Sequence, residues 1–376
     1  MENRAALDQL KNFKNAMNDF VLDKEIQHIA KDFFLRDNAS KRYLYGLNSH
    51  SLNLSKRIEV RGFVDDFYEG KLWHGKPVFR GEDIPTDSLV VNCTFSISPI
   101  SLSKRIRKLF PTGHLEYGQL LSIYPEKMPI PEFIDNQQKD LKNNWHHYKK
   151  VFSWLQDEVS RKTFIDIIRY RLSGDLRNML SYRVRPLDQY FESFLNIPSG
   201  SIFVDGGGFD GDTAEIFCTR YPDYKQVFLF EPSTSNIKRA KERLKKQRDV
   251  IYIKKALSDK REELIFQPDQ GMKSSITKSG NTSVSATTID EEITCPVSFI
   301  KLDLEGWDLK AIKGAQKHIL NDHPTLAIAV YHETSHIYSI FEYIINIRSD
   351  YLVYLRHYTE GDSETIMYFI PDTAQT

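Results

Sequence analysis

Residues Ile202–Thr213 spell IFVDGGGFDGDT, an apolar run entering a glycine-rich turn that carries Asp205, Asp210 and Asp212, and Glu231 closes the next apolar run, VFLFEP. The glycines allow a tight turn against which a ligand can lie, and Asp212 and Thr213 stand where a helix would begin. Gly206, Gly208 and Gly211 satisfy G-x-G-x-x-G, and Glu231 follows at about the distance used to grip a ribose diol in dinucleotide enzymes. An NAD-dependent oxidoreductase is therefore one reading. A pyrophosphate would, however, meet three carboxylates at the helix start, each close like-charge pair costing about 4 kcal/mol near a protein surface. S-adenosylmethionine has no phosphate and offers a sulfonium, an ammonium and a ribose, so the charge pattern favours that molecule. A Gly-Asp turn in an α/β core that binds nothing, or a non-catalytic module that keeps the cofactor fold, is the plainer alternative.

Other chemistry-bearing residues lie further along. Asp303 and Glu305 stand in FIKLDLEGWD, and His332–His336 spell H-E-x-x-H. A zinc hydrolase needs that motif inside a helix so that both imidazoles share a face. Here the first histidine ends the apolar run AIAVY, the helical stripe Ile337, Ile340, Phe341, Ile344, Ile345 begins after it, and no third ligand is evident in the sequence. No metal is expected.

The elements that must position these residues follow from patterning. At 376 residues the chain is long enough for two cores. Residues 1–35 read as N-terminal helices, with Leu7, Leu10, Phe13, Met17 and Phe20 at helical spacing. Residues 36–125 alternate short apolar strands with turns and read as a small Rossmann-like α/β domain. Its would-be phosphate loop, Gly46-Leu47-Asn48-Ser49, holds one glycine, and Asp65 and Asp66 after its second strand are read as structural. Residues 126–195 read as a helical linker whose aromatics, Trp145, Tyr148, Phe152 and Phe164 among them, are core. Residues 196–376 give strand, helix, strand, helix, with strands near 202–205, 227–231, 250–254, 298–303 and 325–331, as a parallel sheet requires. YLVYLRHY and ETIMYFIP are separated only by TEGDS, too short for a parallel crossover, so they form an antiparallel hairpin.

Basic and acidic residues balance at 51 each, so no overall field draws the chain to nucleic acid. The basic run Lys238–Arg248 lacks interleaved aromatics and is read as a solvated helix face. The longest apolar run, near Leu326–Tyr331, is too short to cross a membrane, and three scattered cysteines with no apolar leader point to a reducing, cytoplasmic location. The expected partner is a small-molecule or carbohydrate acceptor; a homo-oligomer stays open.

VDGGGFDGDT, FEPS, the TTIDE segment at Thr287–Glu291, FIKLDLEGWDLKAIKGA and YHE followed by RHY together resemble the FkbM family of S-adenosylmethionine-dependent methyltransferases, over roughly residues 185–370. The resemblance implies an α/β fold with a Rossmann-like methyltransferase sheet, ending in the hairpin, and methyl transfer to a hydroxyl of a sugar, glycan precursor or natural product. Within it, Asp205 lies beside the amino-acid end of the cofactor, Gly206 and Gly208 admit it to the backbone, and Asp212 and Thr213 start the adjoining helix. Glu231 accepts from the ribose diol. Asp259 accepts from the adenine amine, with Ala256 and Leu257 against the ring, or else caps a turn. Asp303 faces the sulfonium, Glu305 the acceptor, and His332 is the expected base, with Asp303 or Glu305 as the second choice. Arg356, His357 and Tyr358 are placed to line the acceptor pocket, and Gln189 and Tyr190 to close over the cofactor.

Overall fold

A computed structural model describes residues 7–8, 23–267, 275–276 and 282–372. The helical stripe expected through Leu10, Phe13, Met17 and Phe20 lies outside the described residues. Two compact units divide the chain: Met1–Trp145 with Lys162–Val184 and Tyr358–Ser363, and His146–Arg161 with Arg185–His357 and Glu364–Thr376.

In the first unit, β1 (Arg42–Tyr45), β2 (Gly62–Val64), β3 (Leu72–Trp73), β4 (Lys76–Phe79), β5 (Leu89–Asn92) and β6 (His114–Glu116) form one sheet, ordered β3-β4-β2-β1-β5-β6. Every pair but β3 with β4 is parallel, and the central strands β1 and β5 are buried throughout. Such strands read as unbroken apolar runs because both sheet faces are covered. The start of helix Ser49–Arg57 is closed by its own cap: Asn48 Oδ1 accepts from His50 N at 2.9 Å and Ser51 N at 3.0 Å. Asp65 accepts from Phe67 N and Tyr68 N, while Asp66 accepts from Gly81 N, Arg105 Nε and the Tyr45 hydroxyl. Both acids thus hold turns. At helix Pro99–Leu109, Ser101 donates to Glu360 through its backbone N (2.7 Å) and its hydroxyl (2.9 Å), so a carboxylate from Tyr358–Ser363 satisfies that helix's first turn.

The second unit is built on β7 (Ile202–Gly206), β8 (Gln226–Phe230) and β9 (Val250–Ile253). A separate four-stranded sheet follows, from β10 (Ala256–Leu257), β11 (Glu262–Gln267), β12 (Ser275–Ile276) and β13 (Thr282–Thr287), ordered β10-β13-β11-β12. This sheet is an addition to the sequence reading. The main sheet resumes with β14 (Phe299–Leu302) and β15 (Thr325–Ala329) and ends in the antiparallel pair β16 (Tyr351–His357) and β17 (Thr365–Pro371). Its order is β16-β17-β15-β14-β7-β8-β9. Counting only these strands along the chain and starting from β9, that is 3-2-1-4-5-7-6. The topological switch point, where open α/β sheets bind ligands, falls between β7 and β14.

Helix Asp212–Arg220 is pinned to this sheet by aromatic packing: Phe217 stacks on Phe203 with centroids 4.3 Å apart, and Phe203 on Phe299 at 5.1 Å. The turn between β7 and that helix is tight because Gly207 takes φ +75°, where an added Cβ would stand 2.0 Å from the Asp303 carbonyl oxygen. Gly207→Ala is expected to cost at least about 1–3 kcal/mol from the backbone conformation alone, read as a lowered urea midpoint. No helix among the described residues is long and apolar enough to cross a membrane.

Candidate active site

The site lies at the carboxyl edge of the main sheet, within the second unit. Parallel strands deliver the glycine turn after β7, Glu231 after β8, Asp303 after β14, and Tyr331 and His332 just beyond β15. β17 runs the other way, so its first residues reach the same edge: Val330 N donates to Thr365 O at 3.0 Å, and Glu364 precedes Thr365. The antiparallel final strand therefore adds a carboxylate to a rim built otherwise by parallel ones.

Around the turn, Glu231 is buried and already bonded. Its Oε1 accepts from Ser233 N at 2.8 Å and Asn236 Nδ2 at 3.2 Å, and its Oε2 accepts from Phe209 N at 3.1 Å. Burial pushes its carboxyl up, against those three donors. Asp205 is fully buried and faces Lys301, whose Nζ donates to Asp205 Oδ1 (3.0 Å), Gly206 O (3.2 Å) and Gly207 O (2.9 Å). Burial raises the Asp205 carboxyl, yet Lys301 is also raised, burial being outweighed by Asp205 and Asp303. Three acceptors around one Nζ call for three N–H donors, so Lys301 is a charged ammonium paired with the Asp205 carboxylate. Asp205 Oδ2 is buried and has no hydrogen-bond partner among the described residues.

Three carboxylates acting together on a ligand is an expectation the structure corrects. Asp205 is neutralised by Lys301, and Asp210 by Arg243, at 2.7 Å; Asp212, exposed at the helix start and accepting from Thr213 N at 2.7 Å, has no cation within ion-pair distance among the described residues. Gly206 and Gly208 are required by the protein's own packing. An added Cβ would meet Leu302 Cδ2 at 2.4 Å in the first case and Leu229 Cγ at 2.4 Å in the second. Ala256 and Leu257 are buried on β10, Leu257 against Gly206, while Asp259 is exposed in a bend and accepts from Ser258 Oγ at 3.2 Å.

The second cluster joins Asp303, His332, Asp308 and Glu364. Asp303 accepts from the Tyr190 hydroxyl at 2.6 Å and the Tyr331 hydroxyl at 3.3 Å, and His332 Nε2 lies 3.2 Å away as an ion-pair contact without hydrogen-bond alignment. Although burial opposes it, His332 and Lys301 hold the Asp303 carboxyl well below the usual range. The other ring nitrogen, Nδ1, sits 2.9 Å from Asp308 Oδ2, and that fully buried carboxylate also accepts from Leu304 N (3.0 Å) and Gly306 N (3.3 Å). Against the burial that would lower it, Asp308 and Asp303 raise His332 well above its ordinary value. With a carboxylate 2.9 Å from Nδ1 and another 3.2 Å from Nε2, the surroundings of His332 favour the protonated ring, which has no lone pair with which to act as the expected base. Glu305, at φ +50°, lies 3.7 Å from His332 Nε2.

Glu364 is the residue the sequence reading missed. Its carboxylate accepts from Gln189 Nε2 and shares with Asp303 the one proton of the Tyr331 hydroxyl, 3.1 Å away, and burial followed by the charge of Asp303 pushes it up to about 7. Lys301 and Asp308 were missed as well. A lysine between Ile300 and Leu302 in a strand buried throughout was the available signal for the first. Gln189 and Tyr190 do reach the cluster, each bonded into it. Arg356 does not: it grips Asp157 through both terminal nitrogens, at 2.6 and 3.2 Å, and His357 Nδ1 bonds Thr365 Oγ1 at 3.0 Å. Tyr358 is buried in the first unit. In H-E-x-x-H, His332 precedes helix His336–Ile347, as expected, yet Asp308 supplies the third donor that the sequence did not disclose, within 4.8 Å of both histidines.

With this geometry in view, residues 205–358 match the family model described as the methyltransferase FkbM domain. The crystal structure of a methyltransferase FkbM from Methylobacillus flagellatus KT is similar in fold along nearly the whole chain, with TM-score 0.73 and 21% identity over 98% of this chain and 100% of that one. Fibrillarin from Aeropyrum pernix, solved with natively bound S-adenosyl-L-methionine, is a more distant match at TM-score 0.30 and 13% identity, over 47% of this chain and 69% of that one. A methyltransferase from Aquifex aeolicus, described as SAM-dependent, gives TM-score 0.29 and 14% identity over 46% of this chain and 84% of that one. A search of curated proteins found no match.

Proposed function

We propose that this FkbM methyltransferase domain takes its methyl group from S-adenosylmethionine and passes it to a hydroxyl of a sugar, glycan precursor or natural product. The observation that carries the donor is the turn after β7. A buried carboxylate oxygen there, Asp205 Oδ2, lacks a donor, and Glu231 stands at the neighbouring strand end. A rim of acceptors suits the cationic and hydroxyl groups of that molecule better than a pyrophosphate. When bound, the cofactor supplies an electrophilic methyl on a positively charged sulfur. Asp205 would meet its ammonium, Glu231 its ribose, and Ala256, Leu257 and Asp259 its adenine.

The chain's own contribution to chemistry is proton removal from the acceptor. An aliphatic hydroxyl needs a base whose pKa lies near the working pH. Glu364, pushed up to about 7, meets that condition, whereas Asp303 is held too acidic and His332 carries its proton already. Asp303 keeps Glu364 high through its charge, and His332, fixed by Asp308, keeps Asp303 ionised.

Isothermal titration with S-adenosylhomocysteine and, separately, with NAD tests the donor assignment. Saturable one-to-one binding of the homocysteine product and none of the dinucleotide is expected; the reverse would replace the reading with an oxidoreductase. Transfer of labelled methyl to a panel of sugars then tests the acceptor class, and transfer confined to amines would overturn it.

A further inference from the structure

We infer that Lys301 is a positioning residue for the methyl donor: its ammonium locks the turn after β7 by bridging the switch point from β14. The inference rests on the donor assignment above. Lys301 and Asp205 are direct register partners on neighbouring parallel strands, so their side chains leave the same face at the place where the strand order reverses. Lys301 is 2% exposed, and its three N–H donors have three acceptors: the Asp205 carboxylate and the carbonyls of Gly206 and Gly207. Every donor is spent on the turn, which leaves none for a ligand. The carbonyls it holds belong to the two residues whose geometry sets the turn, Gly207 being the one at φ +75°.

Two effects follow. The ammonium compensates Asp205, whose Oδ2 remains a buried acceptor without a partner and lies at the turn that would meet the donor's ammonium. It also turns two carbonyl oxygens toward itself, which orients the corresponding peptide planes before any ligand arrives. Preorganisation of this kind lowers the ordering cost of binding and so acts on affinity rather than on the chemical step.

The test is equilibrium binding of S-adenosylhomocysteine to folded variants, with thermal melts as the folding control. Lys301→Met keeps the aliphatic stem and is expected to weaken binding about 10–100-fold, the range for losing one charge-assisted contact. In steady-state transfer the donor KM should rise with the acceptor KM held. Because a lone buried Asp205 can unfold that variant, Asp205→Asn is compared with the Asp205→Asn, Lys301→Met double variant, whose neutral pair restores a compatible core. The double variant should bind more weakly than Asp205→Asn, since only Asp205→Asn retains the grip on the two carbonyls. Equal affinity of that pair, or wild-type affinity in folded Lys301→Met, would overturn the inference and leave the donor assignment standing. Failure of the wild-type protein to bind S-adenosylhomocysteine would remove both.

Discussion

Glu364→Gln is expected to slow methyl transfer about 10²–10⁴-fold, the range for losing a positioned general base, while binding of S-adenosylhomocysteine is unchanged. The substitution keeps the size of the side chain and removes its capacity to take a proton. In the wild-type protein the rate should climb as pH rises through about 7, where burial and the Asp303 charge have moved this carboxyl. The sign follows from the role: the reactive form is the ionised one, so acid silences it. Glu364→Gln should lose that limb and leave a small, flat residual rate. A variant that keeps both the rate and the limb would return the role of base to another group on the rim.

Asp308→Asn is expected to lower stability by about 3–5 kcal/mol, the cost of removing one partner from a buried charged pair. Asp308 is fully buried and holds Leu304 N, Gly306 N and His332 Nδ1 together. Without it, His332 keeps a charge in a dry setting with less to balance it. The pH dependence has a definite sign. His332 is raised in the folded state, so the stability it adds is full below its ordinary value near 6.5 and is lost as pH rises through the folded value. The gap between wild type and Asp308→Asn in urea unfolding should therefore be widest in mild acid and narrow toward alkaline pH. A gap that widens instead would mean that His332 is neutral when folded. Transfer should also weaken, because an unfixed His332 no longer holds Asp303 ionised.

The legibility of this protein follows strand direction. Asp205, Glu231 and Asp303 could be read from the sequence because each ends an apolar run, and a parallel strand delivers its last residue to the ligand edge. Glu364 could not be read in that way, since it begins a run and only antiparallel pairing with β15 turns a beginning into an edge position. The hairpin itself was evident from TEGDS, so the placement was one step short of being derivable. Charge state was the other blind spot. Carboxylates can be counted in VDGGGFDGDT, but the cations that offset Asp205 and Asp210 come from Lys301 and Arg243, distant in sequence and brought near by the sheet and by helix Thr234–Arg243. The surroundings of His332 were hidden for the same reason, because the acids facing its two ring nitrogens, Asp303 after β14 and Asp308 opening helix Asp308–Lys313, are distant in sequence.

Glu360 reaches Ser101 from a segment more than two hundred residues downstream, and this separation bears on how the chain matures. As the polypeptide leaves the ribosome, the opening turn of helix Pro99–Leu109 waits for its carboxylate until residue 360 has been made. Truncation at residue 184 would leave that helix end to water, and a fragment from 185 onward would lack the Asp157 that Arg356 grips. Neither compact unit can be cut out as one continuous length, so nascent chains stalled before Tyr358 should be the protease-sensitive ones.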